Sequence, residues 1–411
     1  MSLEQTPTQG GSPSTLASRA PSLALRLLLR HLRHLHQGDL TIETPDGHRW
    51  TIEGQHPGGS GEIRIHRPFA LVRRLLTRGL VGLGEGYMVG DWDTPDLPAL
   101  LNMGAVNQPH IPQLVNGSRP AHLWDNLRHR LRGNSRPGSR RNIAFHYDLG
   151  NDFYQLWLDP TMTYSAAVFE PPEASLETAQ TRKYARLLER LEAAPGAHIL
   201  EIGCGWGGFA EHAARQGYRV TGITLSREQL DYARRRIEAA GLSDRVELRL
   251  QDYRDLNETF DHVVSIEMFE AVGEPWWPTW FQTVRQCLRP GGRAAVQVIT
   301  IDVKAFDYYR THADFIQLYI FPGGMLPSVP AFEQHATEAG LTIRETAFFG
   351  QDYADTLHHW YQRVCEQAPA ILSLGGYDQR FLRTWRFYLA YCEAGFRSRN
   401  TDLMHAVLEA S

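Results

Sequence analysis

Apolar and polar residues change their spacing several times along the chain, and each change marks an element. Short apolar runs recur at 198–202, 219–223, 246–250, 261–265 and 293–298, each bounded by glycine or polar turn residues. Runs of that length predict buried strands. Between them, helical spacing appears over 209–215, 226–240 and 276–288, with Ser226 as a natural N-cap. Leu288-Arg-Pro-Gly-Gly292 stops the last of these helices and turns the chain into the fifth strand. The alternation predicts a doubly wound, mainly parallel α/β sheet with its ligand at the C-terminal strand edge. Stretches 341–348 and 404–408 supply the remaining strands of a seven-stranded sheet.

The first third of the chain has another rhythm. Residues 1–20 are rich in Ser, Thr, Pro, Gly and Gln, the composition of a disordered tail. Leucines at 25, 28, 29, 32 and 35, interleaved with Arg26, Arg30 and Arg33, predict a basic amphipathic helix. Two readings of it stay open: it lies on an anionic membrane surface, or it packs on its own domain. Segments 40–44 and 48–52 flank Pro45-Asp46-Gly47 as a hairpin, and 62–66 reads as a third strand. Helices over 68–77 and 95–103 enclose a glycine-punctuated stretch, 82–93. Together these define a smaller α+β domain over 21–117. Residues 118–142 hold seven arginines (119, 128, 130, 132, 136, 140, 141) against one acid, Asp125. They read as a basic linker, either an electrostatic landing patch for a phospholipid bilayer or a solvated connection. The larger α/β domain takes 143–411.

Composition narrows the function classes. A net charge of −4 argues against a nucleic-acid partner, and 42% hydrophobic residues suffice for a large core. Four scattered cysteines give neither a disulfide framework nor a zinc site, and the eighteen histidines form no ligand cluster, so no metal is expected. No run of about 18 apolar residues is present to span a membrane. The start lacks the basic-then-apolar order of a secretory signal, and the cysteine pattern fits a reducing compartment, so a cytoplasmic location is expected.

The most specific chemistry lies in residues 197–209. There an apolar strand reaches Glu201 and runs into Gly203, Gly205 and Gly207 before a helix. Such a turn lets backbone N–H groups approach a ligand closely, although alone it fits many doubly wound sheets. A dinucleotide site would place an acid at the end of the second strand. This chain has Thr224-Leu225-Ser226 instead. Gln229 one turn further, Gln251, Asp252 and Tyr253 after the third strand, and Glu267 after the fourth suit S-adenosylmethionine. The domain reads as a Rossmann-like methyltransferase; a structural glycine turn is the alternative. Trp276, Trp277 and Trp280 on one helical run read as packing.

Several motifs resemble the cyclopropane-fatty-acyl-phospholipid synthase family. They are 146–154 (His-Tyr-Asp-Leu-Gly-Asn-Asp-Phe-Tyr), 158–165, 202–208, 250–255, 268–273 (Met-Phe-Glu-Ala-Val-Gly), 319–328, Tyr353 with Thr356-Leu357, and 394–397. The stretch 82–92 is similar to the N-terminal domain of longer bacterial members. The resemblance implies methyl transfer from S-adenosylmethionine to a cis double bond of a phospholipid acyl chain. The enzyme would visit the inner face of the membrane, and a homodimer stays open. Attack on the sulfonium leaves a carbocation, which needs π-faces and a base. Tyr147, Tyr164 and Ser165 are candidates for the cofactor, and Phe269, Phe315, Tyr319, Ile320 and Phe321 for an acyl tunnel; for these aromatic residues a plain core role is the alternative. The resemblance also implies a bicarbonate ion as the bound base, held at Ala166, Glu270, Gln297, Ile299 and Tyr353.

The chain departs from the family at two of those five positions: Ala166 stands for a cysteine and Gln297 for a histidine. Either the ion survives in a remodelled pocket, or proton removal takes another route. Loss of a proton from the added methyl gives a cyclopropane; loss from a neighbouring carbon gives a methylene-branched chain. Retained Glu270 and Tyr353 favour the ring. A methyltransferase for a small soluble substrate and a non-catalytic lipid-binding protein are the other readings.

Overall fold

The computed structural model describes residues 23–32, 35–111, 118, 134–136, 138–139, 142 and 149–410. The tail 1–20, Arg33, Tyr147 and Arg119, Arg128, Arg130, Arg132, Arg140 and Arg141 of the linker lie outside them. Contacts divide the chain into two compact units. One takes the described residues up to 118 together with Gly376–Ser398, and the other takes residues from 134 to Gly375 with Arg399 onward.

The first unit holds a four-stranded sheet: β1 (Gln37–Glu43), β2 (Arg49–Glu53), β3 (His56–Ile65) and β4 (Trp92–Asp93). Its order is β2-β1-β3-β4, with β1 and β3 parallel and the other pairs antiparallel. The hairpin turns at Gly47, as the Pro-Asp-Gly signal predicts. The glycine-punctuated stretch differs from expectation. Helix Pro68–Met88 runs on through it, kinked at Gly79, because Gly82 presses against the Arg74 backbone where a Cβ would collide. In helix Leu23–Leu32, Leu28, Leu29 and Leu32 are buried while Arg26 and Arg30 are exposed. Those leucines are therefore committed to packing. Helix Gln379–Arg397 also belongs to this unit and buries Leu382, Trp385, Phe387, Tyr388 and Leu389. The sequence segmentation, which ran the second domain unbroken to 411, differs here.

The second unit holds a seven-stranded sheet: β5 (His198–Ile202), β6 (Arg219–Thr224), β7 (Val246–Leu250), β8 (Phe260–Ile266), β9 (Leu288–Ile301), β10 (Leu341–Phe348) and β11 (Thr401–Ala410). Its order is β10-β11-β9-β8-β5-β6-β7, and β11 runs antiparallel to both neighbours. Strands β5 to β9 are parallel, as the strand–helix alternation predicts. The chain leaves β5 for β6 and β7 on one side, then returns to β8 on the other. This is the topological switch point, outside which such sheets bind ligands.

Side chains alternate between the two faces of a strand. Leu200, Ile202, Val263, Val296 and Val298 pack with Trp277, Trp280, Phe281 and Phe332 on one face. Ile199, Val264 and Ala295 pack with Leu187, Phe209 and Leu230 on the other. Glu201 and Gln297 fall in register with this second set, the face covered by helix Leu176–Leu191.

Candidate active site

The glycine turn sits at the switch point. Gly203 has φ +92° and Gly207 φ +83°, conformations that disfavour side chains, and helix Gly208–Arg215 begins directly after them. A Cβ on Gly203 would stand 3.0 Å from the Met268 side chain. The turn therefore lies against the end of β8, where Glu267 and Glu270 follow. Thr224 ends β6, and its hydroxyl donates to Gln229 Oε1 at 3.2 Å; Leu225 is partly buried beside it. Gln251 Nε2 donates to the Asp255 carbonyl. Asp252, buried, accepts from Arg254 Nε at 2.8 Å and Nη2 at 2.7 Å, and the Arg254 guanidinium lies over the Tyr253 and Trp276 rings. Asp252 thus serves first to shape this strand end.

Aromatic faces gather around Tyr164. Its ring stands 5.5 Å from Tyr154 and 5.3 Å from both Trp157 and Trp360, and Trp360 also meets Tyr353 at 6.3 Å. Such faces suit a sulfonium or a carbocation. The expected tunnel residues separate. Phe315 and Tyr319 pack together at 5.0 Å on a short helix, which Asp314 and Gln317 cap reciprocally; Phe321 follows, partly exposed. Met325 N–H donates to the Glu270 carbonyl at 2.8 Å, tying this aromatic segment to β8. Phe269, expected along the tunnel, is fully buried and packs within the aromatic core cluster of Trp277, Trp280, Phe281 and Phe332. Trp277 and Trp280 pack as read from the sequence.

The residues expected to hold an anion converge, but on a side chain. Glu267, at φ +48°, brings its carboxylate under three donors. Its Oε1 accepts from Ala166 N–H at 2.7 Å and Gln297 Nε2 at 2.7 Å, and its Oε2 accepts from Tyr353 O–H at 2.6 Å. The fourth expected donor, Ile299 N–H, bonds Glu270 Oε1 at 2.6 Å. Glu270 Oε2 is buried with no hydrogen-bond partner among the described residues. Every donor the resemblance assigned to bicarbonate thus ends on a protein carboxylate. The Glu267 carboxylate already occupies those donors and would repel a further anion, so the residues do not fit a bound bicarbonate. Glu267, expected at the cofactor, stands within this cluster.

Burial raises the Glu267 carboxyl above the usual carboxylate range, while the Tyr353 hydroxyl, the Lys183 charge, Ala166 N–H and the Gln297 amide oppose that rise and favour its ionised form. Burial, then the Glu267 charge, pushes Glu270 up to about 8, so it is the neutral member at pH 7. Burial also raises Glu201 to about 8, and its Oε2 has no hydrogen-bond partner among the described residues.

Lys183 and His405 complete the cluster. Lys183 is fully buried, and its ammonium donates to Ser165 Oγ at 2.5 Å. Burial lowers it to about 7 against the pull of Glu267, Asp159 and Glu201. Gln180, one turn earlier, donates to the Ser165 carbonyl at 2.8 Å. Both stand in the buried stripe Leu176, Ala179, Gln180, Lys183, Leu187 of an amphipathic helix. A lysine at that spacing was the available sequence signal. His405 pairs with Gln297 across β11 and β9, and Nε2 meets Gln297 Oε1 at 2.7 Å. The Gln297 amide faces acceptors through its nitrogen, so its oxygen must accept from His405 Nε2–H. No local pattern at 405 signals this contact.

The sequence profile of the mycolic acid cyclopropane synthetase family matches residues 134–406. The chain is 41% identical to tuberculostearic acid methyltransferase of Mycobacterium tuberculosis over 398 residues, 94% of this chain and 91% of that one. It is 37% identical to cyclopropane-fatty-acyl-phospholipid synthase of Escherichia coli, over 87% of this chain and 89% of that one. A mycolic acid cyclopropane synthase solved with SAH and CTAB superposes with a TM-score of 0.62 at 29% identity, covering 66% of this chain and 98% of its own. By that profile match and those relatives, this chain belongs to the mycolic acid cyclopropane synthetase family and is an S-adenosylmethionine-dependent methyltransferase.

Proposed function

We propose that the chain transfers the methyl group of S-adenosylmethionine to a cis double bond of a phospholipid acyl chain and closes a cyclopropane ring. The observation that carries this reading is the Glu267–Glu270 pair, set beside the glycine turn and joined through Tyr353 to the aromatic faces around Tyr164. An olefin is a weak nucleophile, so the site must present the sulfonium, tolerate a carbocation and then remove one proton. Retained Glu270, Tyr353 and Ile299 favour ring closure. A second reading, the methylene-branched ending, is favoured by the 41% identical relative, which is named a methyltransferase rather than a cyclopropane synthase.

The test supplies methyl-labelled S-adenosylmethionine and vesicles of unsaturated phospholipid. Label in acyl chains with upfield ring protons supports the first reading, and exocyclic methylene signals support the second. Label only in soluble compounds, or none, overturns both. Glu270→Ala is expected to abolish turnover while cofactor binding persists, and a normal rate in that variant refutes its role.

The bilayer is the expected partner, met peripherally on its cytoplasmic face. No described helix is long and apolar enough to cross a membrane. Arg136 pairs with Asp255, so the landing patch rests on the other linker arginines. Binding to anionic vesicles should fall as salt rises; equal binding at low and high salt sinks the patch.

A further inference from the structure

We infer that Glu267 is the resident base of this site and stands where the family resemblance implied a bicarbonate ion. The inference rests on the acyl-chain reading above and names the group that completes it. Three donors from separate parts of the fold meet on one carboxylate: Ala166 N–H from the loop before helix Leu176–Leu191, the Gln297 amide from β9, and the Tyr353 hydroxyl from helix Gly350–Glu366. The chain reaches this point through a left-handed conformation at Glu267, φ +48°, which is uncommon for a residue with a side chain. Backbone strain of this kind persists only where its surroundings enforce it.

The two departures from the family follow from the same arrangement. Ala166 contributes its backbone N–H and needs no side chain. Gln297 supplies a fixed amide donor, held by His405 from the opposite side. Histidine at 297 would instead present one nitrogen whose donor state depends on pH. Amide, tyrosine and backbone N–H keep their protons throughout, so the proton that moves is the one Glu267 takes. Its Oε1 accepts twice and its Oε2 once, which leaves Oε2 the less occupied oxygen.

The step balances without a further reactant. The S–CH3 bond breaks with its electron pair left on sulfur, and the methyl bonds to one olefin carbon, placing the positive charge on the other. Glu267 then removes a proton, and the C–H electron pair quenches the cation. The pair closes the ring when that C–H belongs to the new methyl, and forms a double bond when it belongs to a neighbouring carbon. Glu267 leaves as a neutral acid and returns its proton to solvent before the next turnover.

The experiment compares wild type, Glu267→Gln and Glu267→Ala in bicarbonate-free and bicarbonate-containing buffer. It reads acyl-chain labelling, S-adenosylmethionine binding by calorimetry, and binding of carbon-13 bicarbonate by NMR. Wild-type turnover should be indifferent to bicarbonate, with no bound carbon-13 signal. Glu267→Gln should lose about 100-fold or more in turnover with cofactor binding kept. Glu267→Ala should open the cradle, bind labelled bicarbonate, and regain about tenfold of its lost turnover when the ion is added. Wild-type turnover that needs bicarbonate, or a Glu267→Gln variant at full rate, overturns the inference. If Glu267→Ala does not fold, the wild-type and isosteric Gln arms still decide. Labelling of acyl chains by wild type tests the acceptor separately, so failure of the base leaves that reading standing.

Discussion

Single residues in this site work through what surrounds them, and His405 is the plainest case. Its ring is buried, donates through Nε2 to Gln297 and packs on Phe349 at 4.5 Å. Burial, then Arg186 and Lys183, lowers its pKa from 6.5 to about 3. Between those values the unfolded chain binds a proton that the folded chain refuses. This contribution is therefore complete above pH 6.5 and declines as pH falls towards 3, at up to about 1.4 kcal/mol per pH unit. Glu201 and Glu270, whose folded pKa values are raised, act in the opposite sense as pH rises from 4.5 to about 8. A variant comparison removes that background. Denaturation of wild type and His405→Gln across mildly acidic pH should give the variant the shallower acid loss, and parallel curves would contradict the buried neutral imidazole. The sequence offered Gln297 as a departure from its family, but only the β9–β11 pairing shows which residue orients it.

Elements were legible where their period was strong. Strands β5, β7 and β10 fall on the predicted spans, and the helices between strands differ from expectation by a residue or so. Strand β9, Leu288–Ile301, outruns its apolar run at both ends: Leu288 pairs with Phe260 ahead of a register shift, and Ile299, Thr300 and Ile301 pair with β11. Helix Pro68–Met88 was harder to read, since it kinks at Gly79 and continues through Gly82 and Gly86 where close packing leaves little or no room for a Cβ. Phe269 shows how neighbouring residues on one short segment divide their roles. It enters the aromatic core while Glu270 beside it faces the site. Phe269→Ala should cost about 3–5 kcal/mol by opening a cavity among Trp277, Trp280, Phe281 and Phe332. Urea unfolding measures this, and a loss below about 1 kcal/mol would show that the cluster collapses to fill the space.

At the scale of the whole molecule, the chain crosses between its two units near its end. Helix Gln379–Arg397 joins the first unit, and β11 then enters the second sheet between β9 and β10. Arg383 anchors that helix. Its guanidinium lies 3.9 Å from the Tyr87 ring centroid, donates to the Tyr87 and Trp92 carbonyls at 2.5 and 2.9 Å, and pairs with Asp93. Arg383→Ala should destabilise the first unit by about 1–3 kcal/mol, read as faster hydrogen exchange in β1 and β3; unchanged protection would refute the anchor. Sequence by itself determined the strand–helix order, the glycine turn, the cofactor class and the family, because periodicity, turn chemistry and motif spacing are local in the chain. Only the tertiary structure decided that Glu267 meets Ala166, Gln297 and Tyr353, that Lys183 and His405 stand behind them, and that Phe269 is core. Those contacts join residues far apart in sequence, where no local pattern records which side chain fills a shared seat.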